Sequence, residues 1–152
     1  YPNPMVVDAD AIRIYAEEEW PSVDYPRIFT PHISEAAHIL HTKPGLLQQN
    51  TFSSTKKLQR HGLCLLKGPF SKFSQAPSFV VPVQCEKLAI AGSGDILDGL
   101  IGGFLAQHLK PIDAVIVSSF IHAQAGEKLQ YGDSASELLN WIKSTLLQIF
   151  VK

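Results

Sequence analysis

Short apolar runs alternate along the chain with longer stretches of helical period. Met5–Val7 is a compact apolar run that ends at Asp8, and Ala9–Glu19 follows with helical spacing until Pro21 stops it. Arg27–Phe29 is a second short run, closed by a Thr30-Pro31 turn. Ser34 stands as a helix cap before Glu35–His41, and Pro44-Gly45 ends that helix. Leu46–Arg60 reads as one helix closed by His61-Gly62. Leu63–Leu66 predicts a third strand ending at Lys67-Gly68, and Ser78–Val83 a fourth, whose Pro82 suits an edge or a strand end. Beyond Gly92-Ser93-Gly94-Asp95, residues Leu97, Leu100, Ile101, Phe104, Leu105 and His108 recur at spacings of three and four, the stripe of a buried helix. Gly99, Gly102 and Gly103 within it point to close packing against a neighbouring backbone. Pro111 predicts the first residue of a helix running to Gln130. Ser134 or Ser136 caps a last amphipathic helix carrying Leu138, Leu139, Ile142, Leu146 and Ile149 on one face. Strands that alternate with helices give an α/β fold with a mostly parallel sheet.

The length of 152 residues fits one domain, 1–152, with a real core. Thirteen Lys and Arg against 14 Asp and Glu leave a net charge of -1, which argues against a protein held by nucleic-acid phosphates or anionic lipid. No apolar run approaches the roughly 20 residues that span a bilayer. Cys64 and Cys85 form no CxxC pair, so a reducing, cytoplasmic compartment is expected.

The segment Gly92-Ser93-Gly94-Asp95 joins a loop to a helix start, where free amides and the helix dipole attract anions. Glycine lets the backbone approach a phosphate, and Asp95 can act there as a base. The plainer reading, a helix start with Asp95 favouring the dipole, stands beside it. Lys67-Gly68 follows a strand, where open α/β sheets gather ligands, although a surface lysine at a turn has the same sequence. Asp8 and Asp10 read as capping groups. His38 and His41 lack the carboxylate or cysteine partner of a recognisable metal site, so none is expected. His32 follows a strand end. His122, in an apolar helix, reads as a satisfied core residue, and Cys64 as a buried, inert one.

In order, Val6-Val7-Asp8-Ala9-Asp10-Ala11, Thr30-Pro31-His32 with Glu35-Ala36-Ala37, Leu66-Lys67-Gly68, Gly92-Ser93-Gly94-Asp95, and the His122, Ala125, Gly126 helix resemble a known pattern. It is that of the C-terminal half of ADP/ATP-dependent NAD(P)H-hydrate dehydratases, in the ribokinase-like superfamily. The resemblance implies a three-layer αβα sandwich of which this chain is the C-terminal half. A homo-oligomer is expected, or a second polypeptide that supplies the missing half. It implies a lyase that repairs hydrated NADH or NADPH, with ADP or ATP, accompanied by Mg2+, as phosphoryl donor. Asp95 would be the catalytic base and, with His32, would bind the hydrate. Lys67, Gly68, Pro69, Phe70, Ser71 and Gly94 would bind the nucleotide, and the backbone of Gly92, Ser93 and Gly94 would hold its anion.

The chain departs from the family at Ile33-Ser34, where Pro-Gly is usual, and at Pro69-Phe70-Ser71, where small hydroxyl residues are usual. It also lacks an Asn-Pro-Gly triplet before Gly92. Two other readings stay open: a vitamin-precursor type kinase of the same superfamily, and a non-catalytic binding or oligomerisation module.

Overall fold

The computed structural model describes residues 3–18, 20, 24–68, 72–73 and 85–150. The chain divides into two compact units, Tyr1–Val80 and Val81–Lys152.

In the first unit, strands β1 (Met5–Val7), β2 (Arg27–Phe29) and β3 (Leu63–Leu66) form a parallel sheet in the order β1-β2-β3. The register pairs Val7 with Phe29, and Phe29 with Cys64. A two-residue strand β4, Lys72–Phe73, adds antiparallel to β3. The Ser78–Val83 strand expected from the sequence lies outside the described residues. Helix α1 (Ala9–Glu17) links β1 to β2, while α2 (Ile33–Ile39), α3 (Pro44–Gln49) and α4 (Thr51–Leu58) link β2 to β3. Side chains of successive strand residues point to opposite faces. Phe29, Cys64 and Leu66 pack into a core with Val7, Ile12, Ala36, Ala37, Ile39, Leu47 and Leu58. Ile28 and Leu65, on the other face, are equally buried. Double burial is why these parallel strands are unbroken apolar runs instead of alternating ones.

Several boundaries differ from the sequence reading. Helix α1 ends at Glu17, because Glu18 is extended. Pro44 starts α3 at its first position instead of ending the helix before it, since a missing N–H costs nothing there. The single helix expected over Leu46–Arg60 breaks at Asn50 (φ -142°, ψ 65°). Asn50 Oδ1 accepts from the Ser53 amide at 3.3 Å and so begins α4.

The second unit holds helices α5 (Ser93–Ala106), α6 (Pro111–Glu127) and α7 (Ala135–Phe150) around a core of Phe104, Ala114, Ile121, Ala125, Leu129, Leu138 and Ile142. Pro111 opens α6 as expected, and Ser134, not Ser136, caps α7. Leu138 and Ile142 are buried, but Leu139 and Ile149, expected on the same face, are exposed. The expectation for Gly99, Gly102 and Gly103 also fails. A Cβ at any of the three would meet nothing within 4 Å among the described residues. Gly126 of α6 is tight instead: a Cβ there would fall 2.6 Å from Leu88 Cγ. Lys87, beside Leu88, donates to the carbonyls of Glu127 (2.9 Å) and Leu129 (2.6 Å) at the end of α6. That is where a cation best meets a helix dipole.

Candidate functional site

Because β1, β2 and β3 are parallel, their carboxyl ends lie side by side, and the residues that follow them converge. The sheet pairing continues past the strands. The Thr30 amide donates to Val7 O (3.2 Å) and the Lys67 amide to Pro31 O (2.8 Å). Lys67 Nζ then reaches Asp8 Oδ1 at 2.8 Å and Oδ2 at 2.7 Å. The pair links the ends of β1 and β3, and its two side chains are only 19% and 16% exposed. This corrects the capping role read for Asp8. It occupies the cap position of α1, yet its side chain makes no capping bond, and the carboxylate holds the lysine. The chain turns abruptly there, with Ala9 in the left-handed region at φ 50°. Asp10 lies in the first turn of α1, exposed, 3.7 Å from Arg13. Beyond Lys67, a Cβ on Gly68 would meet nothing within 4 Å among the described residues.

His32, not Ser34, caps α2. Its Nδ1 accepts from the amides of Ser34 (3.1 Å) and Glu35 (3.4 Å), while the His32 amide donates to Glu35 Oε2 (2.8 Å). An imidazole nitrogen that accepts two N–H groups carries no proton, so the other nitrogen is the donor. That Nε2 lies 3.2 Å from Glu35 Oε1, on a side chain 55% exposed. The strand end and the cap together therefore fix the ring and set its outer N–H against Glu35 at the surface. Fully buried Thr30 Oγ1, just before it, has no partner among the described residues.

In the second unit, Gly92 adopts a left-handed conformation (φ 84°) at the cap of α5. A Cβ there would come within 3.2 Å of the Ala135 Cβ, so only glycine makes this turn without strain. The first intrahelical bond runs from the Ile96 amide to Gly92 O (3.2 Å), which leaves the Gly94 and Asp95 amides ahead of it. Asp95 is exposed. Its carboxylate has no hydrogen bond or ion pair among the described residues. Ser93 is buried and contacts His122 of α6, as does its carbonyl. The core reading of His122 holds, with a polar partner that the sequence did not name.

The structure thus brings Asp8, His32 and Lys67 together in one unit and Gly92–Asp95 with His122 in the other. Pro69, Phe70 and Ser71 lie outside the described residues. Cys64 is buried, with Sγ 3.5 Å from Leu58 O. Among the described residues no group of three or more His, Cys, Asp or Glu is placed to hold a metal ion, and no helix is long and apolar enough to cross a membrane. Sequence reasoning missed the Asp8–Lys67 pair, the Glu35 half of the cap and the Ser93–His122 contact. Only the second left a signal, the glutamate three residues after the capping histidine.

Residues 2–147 match the profile of a family described as NAD(P)H-hydrate dehydratase. The chain belongs to that family. This dehydratase-family chain is 35% identical over 129 residues to the Coxiella burnetii bifunctional NAD(P)H-hydrate repair enzyme Nnr, covering 82% of the chain and 26% of the relative. It is 33% identical over 151 residues to the Vibrio cholerae protein of the same name, covering 94% and 30% respectively. Among solved structures it resembles the Bacillus subtilis ADP/ATP-dependent NAD(P)H-hydrate dehydratase co-crystallised with ATP/Mg2+. There the TM-score is 0.84 at 25% identity, over 95% of this chain and 55% of that one. A Thermotoga maritima ribokinase (TM-score 0.51, 13% identity, 93% of this chain and 57% of that one) shows the shared ribokinase-like fold. The dehydratase-family chain spans about a quarter to a third of the length of these curated relatives, and about half of the solved chains.

Proposed function

We propose that residues 1–152 are part of a ribokinase-like domain that dehydrates NAD(P)H hydrate at the expense of ADP or ATP. The observation that carries the reading is the Gly92–Asp95 turn, where an exposed carboxylate stands beside two helix-start amides with no intrahelical partner. Hydroxide is a poor leaving group, and phosphorylating the hydrate hydroxyl turns it into a good one. Asp95 takes the hydroxyl proton as that oxygen attacks the terminal phosphorus of the nucleotide, whose bond to the bridging oxygen breaks to release ADP from ATP or AMP from ADP. The Gly94 and Asp95 amides stabilise charge on the phosphoryl oxygens. Lys67, held on Asp8, and Gly68 serve the nucleotide, as would Pro69, Phe70 and Ser71. His32 offers its outer N–H to the hydrated dinucleotide. The carbon–oxygen bond then breaks, phosphate departs, and loss of the neighbouring proton restores the nicotinamide double bond. Magnesium, carried on the phosphates, supplies charge neutralisation when the nucleotide binds.

The test is recovery of reduced-nicotinamide absorbance from the hydrate with ATP or ADP, for the chain and for Asp95→Asn. The substitution is expected to lower turnover by roughly 10²–10⁴-fold with folding intact. Undiminished turnover in Asp95→Asn removes the base assignment. A stable phosphorylated alcohol without elimination points instead to the kinase, and a folded chain that binds no nucleotide points to the non-catalytic module.

A further inference from the structure

The chemistry read for the Gly92–Asp95 turn creates a mechanical problem. Ser93 is flanked by Gly92 and Gly94, and glycine imposes the least local restriction on a backbone. A turn built to let a phosphate approach is thereby deprived of the means to hold its amides still. The structure supplies a tether from the neighbouring helix. His122, in α6, places Nε2 2.9 Å from Ser93 O and 3.3 Å from Ser93 Oγ. A carbonyl oxygen only accepts, so Nε2 carries the proton and donates. Both residues are buried, at 7% and 6% exposure, where water competes poorly for the bond. The Ser93 amide is held on its other side by Ile90 O at 3.3 Å.

We propose that His122 is the positioning residue of this site. By fixing the Ser93 peptide, it sets the direction of the Gly94 and Asp95 amides and of the Asp95 carboxylate. The inference rests on the dehydratase reading for its catalytic consequence, but its mechanical part stands on the contact alone. A histidine that merely filled the core would be replaceable by any side chain of similar size. A tether needs an N–H at the right reach. Glutamine places its amide nitrogen four bonds from Cα, as far as histidine Nε2, and asparagine places it only three bonds away.

The experiment therefore compares His122→Gln, His122→Asn and His122→Ala in the full chain. Hydrogen exchange is read at the Ile96 amide, which closes the first turn of α5, and at the Ile142 amide of α7 as a control. The asparagine and alanine variants are expected to lose at least about tenfold of the Ile96 protection while Ile142 is unchanged, and glutamine to retain it. In turnover with ATP and Mg2+, kcat should fall by up to about 10²-fold in the same two variants, with a smaller change in KM and rescue by glutamine. Should the alanine variant fail to fold, the glutamine–asparagine pair decides. Wild-type protection and kcat in His122→Asn would overturn the proposal, and so would equal loss at Ile96 and Ile142 in all three. If the wild-type chain neither binds nor turns over ATP, the dehydratase reading fails, and the exchange data judge the tether by themselves.

Discussion

At the scale of single residues, the strand-end chemistry turns on two side chains already committed to partners. Lys67 gives its ammonium to both Asp8 oxygens, and His32 spends Nδ1 on the start of α2. What each can still offer a ligand is limited and directional: the ammonium hydrogen not given to Asp8, and an imidazole N–H that must first leave Glu35 Oε1, 3.2 Å away. Gly68 is different, since a Cβ there would meet nothing within 4 Å among the described residues. Gly68→Ala should therefore leave stability within about 0.5 kcal/mol of wild type, as measured by urea unfolding. If a nucleotide phosphate approaches that backbone, the same change should weaken ATP binding by about tenfold, or roughly 1.4 kcal/mol, in a calorimetric titration. Unchanged affinity would remove Gly68 from the binding set. Asp95 and Lys67 were legible in the sequence as groups at a helix start and a strand end. The partner of Lys67 was not, because Asp8 and Lys67 are brought together only by the parallel pairing of β1, β2 and β3.

At the scale of elements, helix starts carry much of the local order. Ser134 donates its amide to Glu137 Oε2 at 2.9 Å, bonds the same carboxylate through its hydroxyl, and accepts from the Ser136 amide at 3.3 Å. The hydroxyl and amide of Ser134 hold the Glu137 carboxyl below the usual carboxylate range. Ser134→Ala should lower the thermal midpoint by about 3 °C, the shift expected for a lost cap in a chain of this size. It should also move the Glu137 titration upward, which carboxylate NMR will detect. Here the sequence offered Ser134 and Ser136 as equal candidates, and the glutamate three residues on decides for the first. For α2 the rule misled, because a histidine occupied the cap where serine is the common residue. At Asn50, a polar cap signal inside an apparently continuous helical run divided it in two.

At the scale of the whole molecule, pH acts through His61. Its Nδ1 lies 3.1 Å from the Tyr15 hydroxyl, and Tyr15 packs on Phe29, Trp20 and the His61 ring. Burial first, then the positive charge of His41 and of Arg60, lowers the His61 pKa. The protonated ring can no longer accept from Tyr15. A histidine whose folded pKa lies below its unfolded value of about 6.5 gives stability that is full above 6.5 and lost as pH falls toward the folded pKa. The urea midpoint should thus decline below about pH 6.5. His61→Gln should flatten that decline, and an equal slope in both proteins would show that other groups carry it. Tyr15, whose pKa is raised chiefly by burial, adds the mirror effect: stability declines as pH rises through about 10.

The order of apolar runs and helical stretches determined the α/β class and the three parallel strands. Glycines and prolines marked the starts of α5 and α6. These are local matters: a period of two or 3.6, a missing amide hydrogen, a backbone free to turn left-handed. Tertiary structure decided that Gly126, instead of the Gly99 group, is tight, because space depends on the neighbour that arrives. It also decided that Asp8 serves Lys67, 59 residues away, and that His122 serves Ser93, 29 residues away. No periodicity encodes such pairings; they exist only once strands and helices have brought distant residues within hydrogen-bond reach.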